Sequence, residues 1–283
     1  MIDKDKRTWC PGCGNFIILK TIDSILKHGD ILDIKNTVVV SGIGQAAKMP
    51  HHLSPCNGFA GLHGRSLPNA TGIKIANHKL DVILFSGDGD LLAEGGNHLI
   101  HAIRRNINVT CFLHDNQVYG LTKGQASPTM WEGEKTKIQY GGVTSRPLNP
   151  LPMALSLGVT FAARTSVSEP GHMKEIMEKA IQHKGFSLVQ IMQTCPSYNK
   201  TRTMKWYREN TVLLNDDHDT GDIFEAIRIT SEKSGKLKLG VFYQAESIPY
   251  ELNNPVIDPE KSLVEKGFGF TFTEKDLAYL LKK

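Results

Sequence analysis

Long apolar runs, an excess of one charge and a large set of cysteines are all missing from this sequence of 283 residues. No stretch approaches the roughly 18 uncharged apolar residues of a membrane-spanning helix, so we expect no membrane partner. The first seven residues are mostly charged and lead directly to Trp9 without an apolar segment. We therefore expect no signal peptide and a cytoplasmic protein, in which the five cysteines form no disulfide framework.

The 33 Lys and Arg residues barely exceed the 29 Asp and Glu residues, which gives a formal net charge of +4. The basic residues are scattered among carboxylates, whereas nucleic-acid-binding proteins gather them in a stripe that neutralises phosphates. We therefore expect no nucleic-acid partner. A mildly positive surface leaves an acidic protein partner open, because it would steer such a partner toward the chain.

Apolar runs typical of buried strands alternate with helical spacing along most of the chain. The predicted strands are 37–40, 81–85, 109–113, 159–163 and 187–192, and the predicted helices are 93–105 and 173–181. This alternation predicts an α/β fold with an open, mostly parallel sheet covered by helices on both faces. We assign residues 1–200 to this domain. Residues 201–283 change to a polar segment with dispersed aromatic residues, which we interpret as a C-terminal arm packed on the core or on a partner subunit.

Three polar or glycine-rich turns, 42–48, 87–90 and 114–122, follow predicted strands. Ligands of such sheets bind at the carboxyl ends of the strands. Glycines at a helix start offer backbone N–H groups to phosphate oxygens, but Asp88 and Asp90 would repel a phosphate. Mg²⁺ bound by Asp88, Asn116 and the phosphates would relieve that repulsion. An Asp-Gly pair alone is equally typical of an ordinary turn.

Eight short motifs stand in order along the chain: WCPGCG (9–14), SGIG (41–44), LHGR (62–65), GDGD (87–90), HDN (114–116), VYGLT (118–122), GQASPT (124–129) and CP (195–196). Together they closely resemble the β subunits of 2-oxoacid:ferredoxin oxidoreductases, especially the 2-oxoglutarate type. The resemblance covers about residues 7 to 200. It implies a thiamine diphosphate-binding fold of the pyrophosphate-binding type.

The resemblance also implies roles for individual residues. Mg²⁺ would be held by the side chains of Asp88 and Asn116 and by the carbonyl of Val118. The implied cofactor-binding residues are Ile43, Gly44, Gln45, His63, Gly87, Gly89, Asp90, Gly120, Leu121 and Thr122. His63 and Arg65 are the catalytic candidates near the phosphates or the reacting carbons, although a loop histidine is also commonly just a hydrogen-bonded residue.

The C-x-x-C spacing of Cys10 and Cys13 by itself fits a redox dithiol, a zinc site or an iron–sulfur site. The resemblance implies a [4Fe–4S] cluster held by Cys10, Cys13 and Cys195. Gln45 stands where the family usually has a further cysteine, and we expect Cys56 to serve as the fourth ligand, the alternative being a free thiol. Cys111 lies in an apolar strand and is expected to be buried and inert.

The implied activity is the coenzyme A-dependent oxidative decarboxylation of a 2-oxo acid to acyl-CoA and CO₂, with electrons passing through the cluster to ferredoxin. We favour 2-oxoglutarate over pyruvate, with Lys48 as the candidate partner of its distal carboxylate; a solvated loop lysine is the alternative. The carboxylate that must contact the cofactor's pyrimidine ring belongs to a separate domain. An α subunit, with a fused or separate γ domain, is therefore expected, and the isolated chain should be inactive.

Two other functions remain open from the residues. A non-redox thiamine diphosphate decarboxylase or carboligase subunit is favoured if Gln45 prevents cluster formation. A non-catalytic binding subunit stabilised by zinc would use the same four cysteines, because four thiolates can hold zinc tetrahedrally.

Overall fold

The computed structural model describes residues 8–53, 56–232 and 235–267. Its strands are β1 (Thr37–Ser41), β2 (Asn57–Ala60), β3 (Asp81–Gly87), β4 (Thr110–Asp115), β5 (Val118–Tyr119), β6 (Gln125–Ala126), β7 (Phe161–Ser166), β8 (Ser187–Met192), β9 (Thr211–Leu213) and β10 (Leu237–Gln244). Its helices are α1 (Asn15–His28), α2 (Met49–His52), α3 (Ser66–Ala76), α4 (Gly96–Arg105), α5 (Pro150–Ser156), α6 (Pro170–Gln182), α7 (Met204–Asn210), α8 (Ile223–Ser231), α9 (Tyr250–Asn253) and α10 (Leu263–Lys266). A 3₁₀ turn (Ala46–Lys48) precedes α2, and a π-helical turn (Gly89–Glu94) precedes α4.

The main sheet has eight strands in the order β2-β1-β3-β4-β8-β7-β10-β9. Neighbours are parallel throughout, except that β10 runs antiparallel to β7. A separate two-stranded hairpin joins β5 and β6. This arrangement confirms the predicted open, mostly parallel sheet.

Alternate residues of the central strands face opposite sides of the sheet, as a side-chain period of two requires. Val40 and Leu84 face one hydrophobic cluster, which also contains residues of α3, α4, α5 and α8. Val39 and Ile83 face a second cluster, which contains residues of α1 and α6. Both faces are thus covered, which explains why the strands are apolar runs rather than alternating ones.

The observed bounds differ from the predicted ones where polar residues are buried. β4 continues through His114 and Asp115, both at most 1% exposed, so it ends two residues beyond the predicted strand. The predicted helix 93–105 is divided, because its first residues belong to the π-helical turn and α4 begins only at Gly96.

The predicted C-terminal arm joins the main sheet in the part that is described. β10 extends the sheet beyond β7, and β9 forms its edge. Glu251 of α9 is 1% exposed and accepts a hydrogen bond from the N–H of Asn108 (3.3 Å). The described part of the arm therefore contributes two strands to the same sheet as the domain before it. Residues 268–283 lie outside the described part. Among the described residues, no helix has the length and apolar character needed to cross a membrane.

Candidate active site

The carboxyl ends of β1, β3 and β4 lie side by side at one edge of the sheet. Because the strands are parallel, the three turns singled out in the sequence, 42–48, 87–90 and 114–122, meet at this edge. Gly87 is the last residue of β3 and pairs in register with His114 of β4. The topology therefore brings the predicted binding residues together.

The carboxylate of Asp90 connects three segments at this edge by hydrogen bonds. Its Oδ1 accepts hydrogen bonds from the backbone N–H groups of Ile43 (3.0 Å) and Gly64 (2.7 Å). Its Oδ2 accepts one from the hydroxyl of Ser86 (2.6 Å). The residue is 3% exposed. Its carboxylate is thus engaged by protein donors and shapes the loops around the site.

Two glycines allow the backbone to approach its neighbours closely. A Cβ atom on Gly42 would lie 2.1 Å from Asp90 Oδ2, and one on Gly89 would lie 2.2 Å from Tyr119 Cε1. Around Gly44, in contrast, a Cβ would meet no atom within 4 Å. Side chains are excluded at positions 42 and 89, and the space beside Gly44 leaves room for a ligand.

The other predicted cofactor-binding residues of these turns form an exposed rim. Ile43 is 39% and Leu121 is 43% exposed, and Thr122 is also exposed. Gly120 adjoins Gln45, since a Cβ on Gly120 would lie 3.3 Å from Gln45 Cγ. The site therefore has two parts. We call the buried residues at the ends of β3 and β4 the floor, and the exposed residues around Ile43, Leu121 and Thr122 the rim.

Two carboxylates, Asp88 and Asp115, are buried together in this floor. They are 2% and 1% exposed. Oδ2 of Asp88 accepts hydrogen bonds from the N–H of Gln117 (2.8 Å) and the hydroxyl of Ser127 (2.6 Å). The hydroxyl of Thr129 lies 2.7 Å from Asp88 Oδ2 and 2.8 Å from Asp115 Oδ1, so it bridges the pair. Burial raises the pKa of both carboxyls, and the charge of Asp115 raises the pKa of Asp88 further.

Arg164 is linked to this pair through Gln190. These residues are opposite each other in β7 and β8. Arg164 Nε donates to Gln190 Oε1 (2.8 Å), and Gln190 Nε2 donates to Asp115 Oδ2 (2.6 Å). Burial lowers the pKa of Arg164 to about 10, and Asp115 opposes that shift. The sequence analysis missed both residues; the available signal was an arginine and an amide inside otherwise apolar strands.

Asn116 follows Asp115 and is 8% exposed. Its Oδ1 accepts a hydrogen bond from the N–H of Val118 (2.9 Å), and its carbonyl accepts one from Asn199 Nδ2 (3.1 Å). Gln117 has a φ of 65°, so the chain turns sharply here and directs its N–H at Asp88. The turn therefore brings Asn116 and Val118 next to Asp88.

These donors fit a hard divalent cation. Carboxylate, amide and carbonyl oxygens are the ligands that Mg²⁺ takes, and a dication would balance two buried like charges. Within residues 8–53, 56–232 and 235–267, no group of three or more His, Cys, Asp or Glu side chains is arranged to hold a metal. A cation at Asp88 therefore needs further oxygen donors, which a diphosphate would provide.

His63 and Arg65 lie beside Glu94, the last residue of the π-helical turn. His63 Nδ1 is 2.9 Å from Asp90 Oδ1 and 3.6 Å from Glu94 Oε2. Arg65 Nη1 donates to the carbonyls of Gly64 and Glu94, at 3.3 Å each. Glu94, which the sequence analysis missed, thus contacts both catalytic candidates. π-Helical turns of this kind are frequent at functional sites.

The N-terminal segment packs against the turn after β1. Trp9 Nε1 donates to the carbonyl of Gln45 (2.7 Å), and Lys48 Nζ donates to the carbonyl of Thr8 (3.2 Å). Among the described residues, the buried Oε1 of Gln45 has no hydrogen-bond partner. A buried acceptor without a donor is rare, and here it lies beside the open space at Gly44. This fits a ligand donor at the same turn.

Cys10, Cys13 and Cys195 lie close enough to influence one another. Burial, followed by the thiols of Cys195 and Cys10, raises the pKa of Cys13 to about 11. Burial raises the pKa of Cys195, with a contribution from Cys10. The N–H of Gly14 donates to the carbonyl of Thr194 (3.2 Å), which joins the two cysteine-bearing segments. The three cysteines thus lie in adjoining segments, although no group of three or more His, Cys, Asp or Glu side chains among the described residues is arranged to hold a metal.

Cys56 has different surroundings. It packs against the same hydrophobic cluster as Cys13, but burial and the charge of Asp23 raise its pKa, with no contribution from the other three thiols. Residues 54 and 55 lie outside the described part. Cys111 is fully buried in β4, as the sequence predicts.

The fold and the site first define a class of protein. The family model described as "Thiamine pyrophosphate enzyme, C-terminal TPP binding domain" matches residues 36–191, which span β1 to β8. A second model, which describes the C-terminal part of the pyruvate ferredoxin oxidoreductase beta subunit, matches residues 195–258. The chain therefore contains a thiamine pyrophosphate-binding domain.

Relatives identify the family within this class. The chain is 43% identical over 279 residues to the 2-oxoacid:ferredoxin oxidoreductase subunit beta of Sulfolobus sp, covering 91% of each chain. It is 46% identical over 191 residues to the 2-oxoglutarate oxidoreductase subunit KorB of Mycobacterium tuberculosis, covering 68% of this chain and 51% of that one. A solved 2-oxoglutarate:ferredoxin oxidoreductase from Magnetococcus marinus, with 2-oxoglutarate, coenzyme A and succinyl-CoA bound, matches with a TM-score of 0.87 and 33% identity, covering 100% and 94% of the two chains.

The chain belongs to the β subunits of the 2-oxoacid:ferredoxin oxidoreductases. This confirms the resemblance drawn from the eight motifs. A β subunit implies an α-subunit partner. The metal ligands, the cluster ligands and the roles of the rim residues stay predictions.

Proposed function

We propose that this chain is the cofactor-binding half of an αβ enzyme that oxidatively decarboxylates a 2-oxo acid. In the overall reaction, one 2-oxo acid and one CoA thiol give one acyl-CoA, one CO₂, one proton and two electrons, and the electrons pass singly to ferredoxin. The observation that carries the proposal is the buried pair Asp88 and Asp115 beside Asn116, within the matched thiamine pyrophosphate-binding domain.

The floor of the site would hold the diphosphate of the cofactor. Asp88, Asn116 and the carbonyl of Val118 would bind Mg²⁺ together with diphosphate oxygens. Gln190 and Thr129 would keep Asp115 hydrogen-bonded within the protein, and Asp88 would be the carboxylate that binds the metal. When bound here, thiamine diphosphate supplies an electron sink that eases the loss of CO₂.

The rim would hold the reactive end of the cofactor and meet the α subunit. Ile43 and Leu121 expose apolar surface beside the open space at Gly44, which supports a partner that covers this edge and excludes water. The carboxylate for the pyrimidine ring would come from that partner. At the rim, His63 would hold or release a proton at Nδ1, which lies between Asp90 and Glu94. Arg65 would contribute the positive charge of its guanidinium group.

A [4Fe–4S] cluster would be held by Cys10, Cys13 and Cys195, with Cys56 as the fourth ligand. The effect of the neighbouring thiols on the pKa values of Cys13 and Cys195 supports this assignment. When bound, the cluster supplies a carrier for single electrons next to the cofactor. The Cys56 assignment requires its thiol to lie beside the other three.

The proposed substrate is 2-oxoglutarate, with pyruvate next. Relatives named for 2-oxoglutarate support this order. Lys48 lies between the turn after β1 and the N-terminal segment, and its ammonium, which donates to the carbonyl of Thr8, would pair with the distal carboxylate instead.

The test is anaerobic co-purification of this chain with its α subunit, followed by iron, sulfide, thiamine, magnesium and zinc analysis and an assay of CoA-dependent 2-oxo acid oxidation. We expect a brown complex with thiamine diphosphate, and turnover only when both subunits are present. The Cys56→Ser variant should lose cluster absorbance, while Cys111→Ser should keep it.

Three results would contradict the proposal in different ways. A colourless complex that still contains thiamine diphosphate would favour the non-redox decarboxylase. Zinc without thiamine would favour the non-catalytic subunit. Turnover by this chain alone would refute the need for an α subunit.

A further inference from the structure

Two segments of the chain, 123–146 and 195–210, form one surface, which we call the basic face. The guanidinium carbon of Arg202 stacks between the rings of Trp131 (3.9 Å) and Trp206 (4.3 Å). Arg202 also forms an ion pair with Glu134 (2.9 Å), and the hydroxyl of Thr201 donates to the same carboxylate (3.1 Å). Arg202 is 5% exposed, so its buried guanidinium, stacked between the two tryptophan rings, holds the two segments together.

The basic face carries the positive charge of the whole chain. The two segments contain eight Lys or Arg residues and three Glu residues, a net charge of +5, whereas the chain as a whole has +4. Seven of the eight basic residues are exposed. Glu134, one of the three carboxylates, is neutralised by Arg202. The charge that is scattered in the sequence is thus concentrated by the fold.

Exposed apolar side chains stand among these charges. Trp131 is 40%, Ile138 is 60% and Tyr140 is 85% exposed, next to the exposed Lys135 and Lys137. The N–H of Gly133 donates to the carbonyl of Val143 (2.8 Å), and the N–H of Val143 donates to the carbonyl of Glu134 (2.9 Å). These bonds join the two ends of the loop that carries the exposed apolar side chains, which we call the apolar projection. Aromatic and apolar side chains ringed by charge are typical of protein–protein interfaces.

The basic face adjoins one of the proposed cluster ligands. Cys195 begins its second segment and packs with Val118, Met130 and Val143, the last two from the first segment. Tyr198 is in contact range of Gly124, because a Cβ there would lie 2.7 Å from the tyrosine ring. A protein bound to this face would lie on the Cys195 side of the molecule.

We propose that the basic face is the docking surface for a small acidic protein that carries single electrons. This inference rests on the proposed function. The positive face would steer an acidic carrier into place, and the apolar projection would hold it there. Each carrier takes one electron, so two carriers dock in turn for every 2-oxo acid oxidised.

The test uses the assembled αβ holoenzyme with the double variant Lys135→Glu/Lys137→Glu. The matched control is Lys35→Glu/Arg104→Glu, which makes the same charge change at two exposed residues near the amino ends of the strands. The KM for an acidic bacterial ferredoxin is measured at several NaCl concentrations. Turnover with methyl viologen, a small cationic acceptor, is measured in parallel, and binding of oxidised ferredoxin is measured by calorimetry.

In the double variant we expect the KM for ferredoxin to rise about tenfold at low salt, because steering by opposite charge accelerates association by factors of about 10 to 10³. The increase should shrink at high salt, and ferredoxin binding should weaken in the same proportion. Methyl viologen turnover should stay at the wild-type rate, and the control variant should match the wild type throughout.

An unchanged ferredoxin KM and unchanged binding in the double variant would overturn the docking proposal. Failure of this variant to assemble with the α subunit would show that the face belongs to the subunit interface, which also overturns it. Absence of methyl viologen turnover in the wild type would instead contradict the proposed function, and ferredoxin binding by calorimetry would still decide the docking surface.

Discussion

Both edges of the main sheet bury charged side chains, but the two edges balance those charges differently. At the amino edge, Lys74 is 3% exposed, donates to the carbonyl of Leu80 (2.6 Å) and interacts with Asp81 and Glu251. At the carboxyl edge, Asp88 faces a second carboxylate and is held by hydrogen bonds alone.

The difference separates a structural use of buried charge from a functional one. Burial lowers the pKa of Lys74, and the two carboxylates oppose that shift, so the amino-edge charges stabilise one another. At the other edge burial raises the pKa of both carboxyls, and the charge of Asp115 makes Asp88 harder still to ionise, which destabilises the fold unless a cation is bound. Perturbed carboxyl pairs of this kind cluster at functional sites. Four predictions test this distinction.

The largest effect is expected for Asp88→Asn. Removing the carboxylate should abolish magnesium-dependent cofactor binding and lower turnover by at least about 10³-fold, because both the metal and the diphosphate lose their anchor. Isothermal titration of the αβ complex with thiamine diphosphate and Mg²⁺ measures this. Asp216→Asn, at an exposed aspartate far along the chain, is the control and should bind normally.

The same variant should change how stability depends on pH. The folded-state pKa of Asp88 is raised, so the metal-free folded protein binds more protons than the unfolded chain once the pH exceeds the ordinary carboxyl pKa of about 4. Its stability should therefore fall as the pH rises toward neutrality. Melting curves of Asp88→Asn in EDTA should show a smaller fall; an identical fall would contradict the buried-charge argument.

At the amino edge, Lys74→Met should reduce the free energy of unfolding by about 3 kcal/mol, because it removes the cation beside the buried Glu251. Activity per folded molecule should not change. Lys79→Met, at a neighbouring lysine that is 45% exposed, should leave the melting temperature unaltered. Denaturant unfolding checks both variants, and equal stability of the two would show that the amino-edge charges are not coupled.

The smallest effect is expected at the rim. Lys48→Ala should lower the preference for 2-oxoglutarate over pyruvate by the equivalent of about 1–3 kcal/mol, as expected for loss of one charge-assisted hydrogen bond. The ratio of kcat/KM values for the two substrates measures it. Lys20→Ala, at an exposed lysine of α1, serves as the control. An unchanged ratio would leave the choice of substrate to the α subunit.

Local patterns predict much of the fold and the approximate site. β8 has its predicted bounds, 187–192, because it is an almost uninterrupted apolar run buried on both faces. The prediction for β4 stops too early because it treats His114 and Asp115 as loop residues. Their partners, Asn15 and Gln190, come from distant parts of the chain, and no local pattern contains them.

The site shows the same division. The spacing from Asp88 to Asn116 points to neighbouring strand ends, since it matches one crossover between parallel strands. It contains no information about Arg164, which reaches the pair only through β8. The role of Asp90 is also not visible locally, because two of its hydrogen-bond donors, the N–H groups of Ile43 and Gly64, lie in distant segments.

Periodicity and motif spacing are properties of neighbouring residues, so the amino-acid order alone was enough to establish the class of fold, the family and the succession of chemical groups along the chain. The folded molecule was needed to learn which carboxylates share a buried site, which cysteine-bearing segments adjoin and where the positive charge gathers. These depend on contacts between segments far apart in the chain, where burial and distance, rather than residue type, set the electrostatic energy.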